Sequence, residues 1–101
     1  MQISVHSIQF KADGKLIDFI EAKLYKLQQF HDGLISAEVF LKLDKNSVDG
    51  NKITEIKVNM PGKDLFAKRQ STSFEESTDK VVEALRRQVR KVKGKRQAAA
   101  A

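Results

Sequence analysis

The chain has 101 residues, with 19 Lys or Arg against 13 Asp or Glu, a formal net charge of +6 and no cysteine. That length supports one hydrophobic core and excludes a second domain of ordinary size, while the missing thiol excludes disulfides and cysteine chemistry and suits a reducing compartment. No segment approaches the ~18 apolar residues of a membrane span, and MQISVHSIQF has neither the basic region nor the apolar stretch of an export signal; the expected location is cytoplasmic, with no membrane partner.

Gln2 to Ile8 alternates β-prone residues, Ile3 and Val5 on one face and His6 and Ile8 on the other, and predicts a short strand. Asp13 offers an N-cap, and Leu16, Phe19, Ile20, Leu24 and Leu27 recur at helical spacing until Gly33 supplies a C-cap, giving an amphipathic helix of about 16 to 18 residues. Ile35, Ala37, Val39, Leu41 and Leu43 then occupy every second place, the clearest strand signal in the chain. The run NSVDGN makes a turn before a third strand over 53–60, with Ile56, Val58 and Met60 on one side. MPGKD is a tight turn into a weaker fourth strand around Leu65 and Ala67.

Ser73 and Glu76 are spaced as a capping box, with Glu75, Glu76 and Asp79 placed where a helix dipole favours acid. Val81, Val82, Leu85, Val89 and Val92 form the stripe of this last helix, which Gly94 weakens. Residues 1–97 read as a single domain and 98–101 as a disordered alanine tail. The order β-α-β-β-β-α predicts a parallel pair from a right-handed crossover, then antiparallel hairpins. The fold class is α+β: a two-layer sandwich with a four-stranded mixed sheet and both helices packed on one face.

Catalytic signals are missing. His6 reads as a sheet residue and His31 as a cation near a helix C-terminus, and two isolated histidines make no zinc site. Glu38, Asp44, Asp49 and Glu55 fall on strand faces and in turns, with no paired acid and base. MPGKD lacks the glycine and lysine spacing of a phosphate loop. The expectation is a protein without enzymatic activity, metal or cofactor.

The cations are unevenly placed: residues 1 to 50 hold six Lys or Arg against seven Asp or Glu, residues 51 to 101 thirteen against six. On the last helix Arg86, Arg90 and Lys93 form one row and Arg87 with Lys91 a second, both flanking the apolar stripe without a matching acidic row. Like charges at these spacings cost roughly 0.2–0.5 kcal/mol per pair, a cost that a bound polyanion reverses. A valine-rich stripe already claimed by the sheet suits lipid poorly, so nucleic acid is the expected partner. Lys23 and Lys26 on the first helix, with Lys15 further back, extend the patch if the helices lie side by side. Phe40 and Phe66 stand at otherwise polar strand places, either as cross-strand packing or as platforms for bases.

Three segments taken together, QISVHSIQF, IEAKLYKLQQFHDGLISAEVFLKLDK and SFEESTDKVVEALRRQVRKVKGK, resemble the ribosome hibernation-promoting factor family, also called ribosome-associated inhibitor or sigma-54 modulation proteins. The similarity runs from Gln2 to about Lys95. It implies a β-α-β-β-β-α domain that binds the small ribosomal subunit between head and body, over the mRNA and tRNA positions, touching 16S rRNA through basic residues of both helices. Carried over by position, it nominates Lys23, Lys26, Arg87, Lys91, Lys93 and Lys95; Arg86 and Arg90 join them from the charge pattern alone. The family often opens its second helix with a DMYAAID-like run where this chain has SFEESTD, so no aromatic contact is carried over there. Arg69 stands where a small residue is usual, and reads as a further phosphate contact or as the end of the strand.

The family's long form has a second domain that pairs two ribosomes; this chain resembles the short form. The expected function is ribosome hibernation: binding the 30S subunit and repressing translation in stationary phase or stress, as a monomer when off the ribosome. A double-stranded RNA-binding module and a protein-interaction domain not tied to the ribosome are the alternatives.

Overall fold

Period-two and period-3.6 runs of apolar residues each need a partner surface, and here they find one another. In the computed structural model, which describes residues 1–31 and 33–100 with side chains as far as residue 94, six elements follow in the order β1 (Gln2–Ser7), α1 (Gly14–Gln28), β2 (Ser36–Leu43), β3 (Lys52–Met60), β4 (Lys63–Ser71) and α2 (Phe74–Ala100). The sheet order is β1-β2-β3-β4, with β1 parallel to β2 and the other pairs antiparallel. This is the expected α+β sandwich, and α2 runs on through Gly94.

Ile20 and Leu24 of α1, Val39 and Leu41 of β2, Ile56 and Val58 of β3, Leu65 of β4, and Val81, Leu85 and Val89 of α2 are all buried and form one core between sheet and helices. The alternation of β2 overruns that core at both ends: Ile35 is 56% exposed and Leu43 39%. Val82 is half-buried at the margin. Buried Thr54 of β3 meets the hydroxyls of Ser77 (2.7 Å) and Thr78 (3.3 Å) on α2, and Ser77 also donates to the Phe74 carbonyl. Satisfied in this way, the hydroxyls cost little to bury and fix the rotation of α2 on the sheet.

Termini and turns follow local chemistry, with some departures from the sequence reading. Asp13 caps α1 as expected, its Oδ1 accepting from the Leu16 N–H at 2.8 Å. Gly33 does not cap that helix, which closes at Gln29 in the αR conformation. Gly33 is instead a place of close approach: its N–H donates to Nδ1 of His31 at 2.9 Å, and a Cβ there would stand 2.6 Å from His31 Cε1. His31 Nδ1 is the acceptor at this point.

At α2 only the forward half of the capping box forms, with Ser73 Oγ accepting from the Glu76 N–H at 3.0 Å. The Glu76 carboxylate turns to Thr72. Hydrogen bonds from Ser71 and Thr72, then Lys80, hold its carboxyl below the usual range. Asp44, after β2, is likewise held low by the Asn46 N–H and the Gln70 amide.

Pro61 and Gly62 join β3 to β4, Gly62 at φ 77°, the left-handed backbone that a type II turn reserves for glycine. Gln9 adopts φ 67° just after β1, and beyond it Phe10 stacks on Phe74 with centroids 5.0 Å apart. The outer sheet face stays open; there His6 stacks on its cross-strand partner Phe40, centroids 5.0 Å apart, so Phe40 is engaged in cross-strand packing. Phe66 remains 52% exposed. Arg69 does not end its strand, since β4 continues to Ser71, and its Nη1 donates to the Lys68 carbonyl.

Candidate nucleic-acid interface

Contacts on both flanks set the orientation of α2. On one side Gln88 Nε2 donates to the Phe66 carbonyl of β4 at 2.8 Å. On the other, two cations reach the chain just past the end of α1: the Arg86 guanidinium carbon stands 4.1 Å from the Phe30 ring centroid, and Lys93 Nζ bonds the Phe30 carbonyl. Arg87, Arg90 and Lys91 are left exposed on the outer surface. The first row of the sequence reading is thus split, with Arg90 left on the outer surface beside the second row. Arg86 and Lys93 of the first row seat α2 beside α1, while Lys91, three places beyond Gln88, shares that residue's side of the helix.

Among the described residues four ion pairs occur: Lys23–Asp79 at 3.0 Å, Lys42–Glu55, Lys57–Asp64 at 3.6 Å and Lys80–Glu76 at 3.2 Å. Of the nominated cations only Lys23 is in one. Its ammonium bridges α1 to Asp79 of α2 and sits 5.3 Å from the Phe19 ring centroid, so this lysine is largely occupied in joining the helices. For Lys26, Arg86, Arg87, Arg90, Lys91 and Lys93 no ion pair occurs among the described residues. Arg87 Nε has only a long contact, 3.5 Å, to the Glu83 carbonyl, and Lys26 is exposed at the α1–α2 groove. The side chain of Lys95 lies outside the described residues. Lys15 lines a separate cavity of about 520 Å³ beside Phe10, Phe74 and Glu75.

The contacts of Phe30, Asp79 and Gln88 at this face are not read from the sequence. Phe30 falls outside the helical repeat of α1, and the helix dipole by itself accounts for Asp79. The arrangement is a two-helix face whose outer cations repel one another and have no ion-pair partner among the described residues, a surface able to neutralise a row of phosphates. No described helix is long and apolar enough to cross a membrane.

The family model described as sigma 54 modulation protein / S30EA ribosomal protein matches residues 3–97. The chain belongs to that family. Among solved structures, a ribosomal subunit interface protein from Coxiella burnetii is similar with a TM-score of 0.84 at 22% identity, over 93% of this chain and 99% of that one. The N-terminal domain of Protein Y from Thermus thermophilus is similar with a TM-score of 0.79 at 26% identity, over 91% and 99% of the two chains. No match was found among curated proteins. Membership in this family fits a ribosomal partner and agrees with the resemblance read from the sequence.

Proposed function

We propose that the protein binds the small ribosomal subunit through the α1–α2 face, lies over the tRNA and mRNA sites on 16S rRNA, and represses translation in stationary phase or stress. It acts in the cytoplasm as a monomer off the ribosome, without a catalytic step or cofactor. The observation that carries this reading is the exposed set Arg87, Arg90 and Lys91, without ion-pair partners among the described residues, on a helix of a ribosomal protein family. Lys26 supports the same contact from α1, with Lys95 nominated by position. The open sheet face is the poorer polyanion surface, since Lys42 and Lys57 there are paired with Glu55 and Asp64. The name of the Coxiella relative, a ribosomal subunit interface protein, points to the same kind of partner.

Occlusion is tested by competition. Saturating purified 30S subunits with the protein should displace a labelled P-site tRNA together with its mRNA, and excess tRNA should displace the protein in return, because linkage between competing ligands is reciprocal. Simultaneous, independent binding of tRNA and protein would overturn the placement.

A further inference from the structure

Between α1 and α2, at the centre of the basic face, lies a groove of about 130 Å³ lined by Lys26, Phe30, Asp79, Glu83 and Arg86 among others. Its lining is mixed in charge and not purely cationic as a phosphate site would be. Two carboxylates, Asp79 and Glu83, stand in its wall beside Lys23, Lys26 and Arg86, so the local excess of positive charge is one and a phosphate entering there passes close to like charge. Asp79 is bound to Lys23, whereas Glu83 is exposed and has no ion pair among the described residues. The Arg86 guanidinium is positioned by the Phe30 ring at 4.1 Å, and its buried Nε has no hydrogen-bond partner among the described residues. Neither carboxylate therefore engages it. The groove combines a flat cation resting on an aromatic ring, an uncommitted carboxylate and a lysine at its mouth.

This combination suits a nucleobase, and resting on the reading above we infer that the groove takes one unpaired guanine of the bound RNA, read by Glu83. Guanine is the base whose Watson–Crick edge presents two adjacent donors, N1–H and the N2 amino group, which one carboxylate accepts side by side. Uracil places carbonyl oxygens on both sides of its single N–H, and adenine and cytosine offer only an amino group beside an unprotonated ring nitrogen. The base plane stacks on the guanidinium of Arg86, whose other side rests on Phe30, and Lys26 is left for the nucleotide's phosphate or for guanine O6. Arg87, Arg90 and Lys91 then supply backbone affinity, while the groove supplies register on the RNA.

Glu83→Gln gives opposite signs under the two possibilities. The site is on the surface, so the fold is unaffected. The probes are single-stranded RNA heptamers, adenine throughout except for a central guanine or, in the second, a central inosine lacking the N2 amino group. The wild type should prefer guanine over inosine by roughly tenfold, and Glu83→Gln should weaken guanine binding and erase the preference. Equal binding of the two heptamers, with Glu83→Gln tightening both as removal of an anion from a phosphate-binding face would do, overturns the inference. Wild-type binding to 30S subunits is measured in parallel. Salt-sensitive 30S binding without guanine preference removes this inference alone, whereas no 30S binding at any salt removes the functional reading and the inference with it.

Discussion

Replacing Arg87, Arg90 and Lys91 together by glutamate should release the protein from the small subunit, lowering affinity on the order of 100-fold or more at physiological salt. Each change removes one favourable phosphate contact and adds a repulsion, and such electrostatic contacts supply most of the affinity for a nucleic-acid backbone. The three side chains are exposed and unpaired among the described residues, so folding should be nearly untouched, with a melting temperature within about 5 °C of wild type. Lys93 is kept out of the set because its bond to the Phe30 carbonyl would mix a structural loss with an electrostatic one. Co-sedimentation with 30S subunits and a circular dichroism melt, run on the same preparation, check both halves. Retained binding would show that another surface makes the contact.

A core substitution should do the reverse. Leu85 is fully buried in the α2 stripe, and Leu85→Ala leaves a cavity that costs about 2–5 kcal/mol. For a domain of this size the melting temperature should fall by roughly 10 °C or more, read by calorimetry or circular dichroism. Well below the transition the variant should still bind 30S subunits as the wild type does, because Leu85 faces the sheet and the cations face outward. A drop in affinity at low temperature comparable to that of the triple glutamate variant would mean that binding depends on exact seating of α2 and not on its charge alone.

The element order and the packing of both helices on one sheet face were legible because most of the core is announced by local repeats, with Leu34, Phe74 and Ala84 outside them. Ala37, Val39 and Leu41 alternate; Ile20, Leu24 and Leu27 follow helical spacing. What escaped are pairings between elements far apart in the chain. Lys23 looks available when α1 is considered alone, and is claimed only because α2 brings Asp79 to 3.0 Å from it. Phe30 belongs to no repeat, yet it organises Arg86 and Lys93 from some sixty places away. Thr54 interrupts the apolar face of β3 in the sequence, and its place is explained by the hydroxyls of Ser77 and Thr78. Gly33 was mistaken for a helix cap because glycine serves close approach as well as left-handed turns, and the His31 ring that requires it sits two residues away. Arg87, Arg90 and Lys91 stand exposed where the charge pattern placed them; their partner was not a matter that spacing alone decides.

Phosphate neutralisation by the outer cations of α2 is the claim on which the rest depends, and the salt dependence of 30S binding tests it most directly. Plotted as log affinity against log salt concentration, the wild type should give a straight, steep line, and the triple glutamate variant a line shallower by about 3 units, near one for each lost contact. An affinity indifferent to salt, or the same slope for both proteins, would contradict the account.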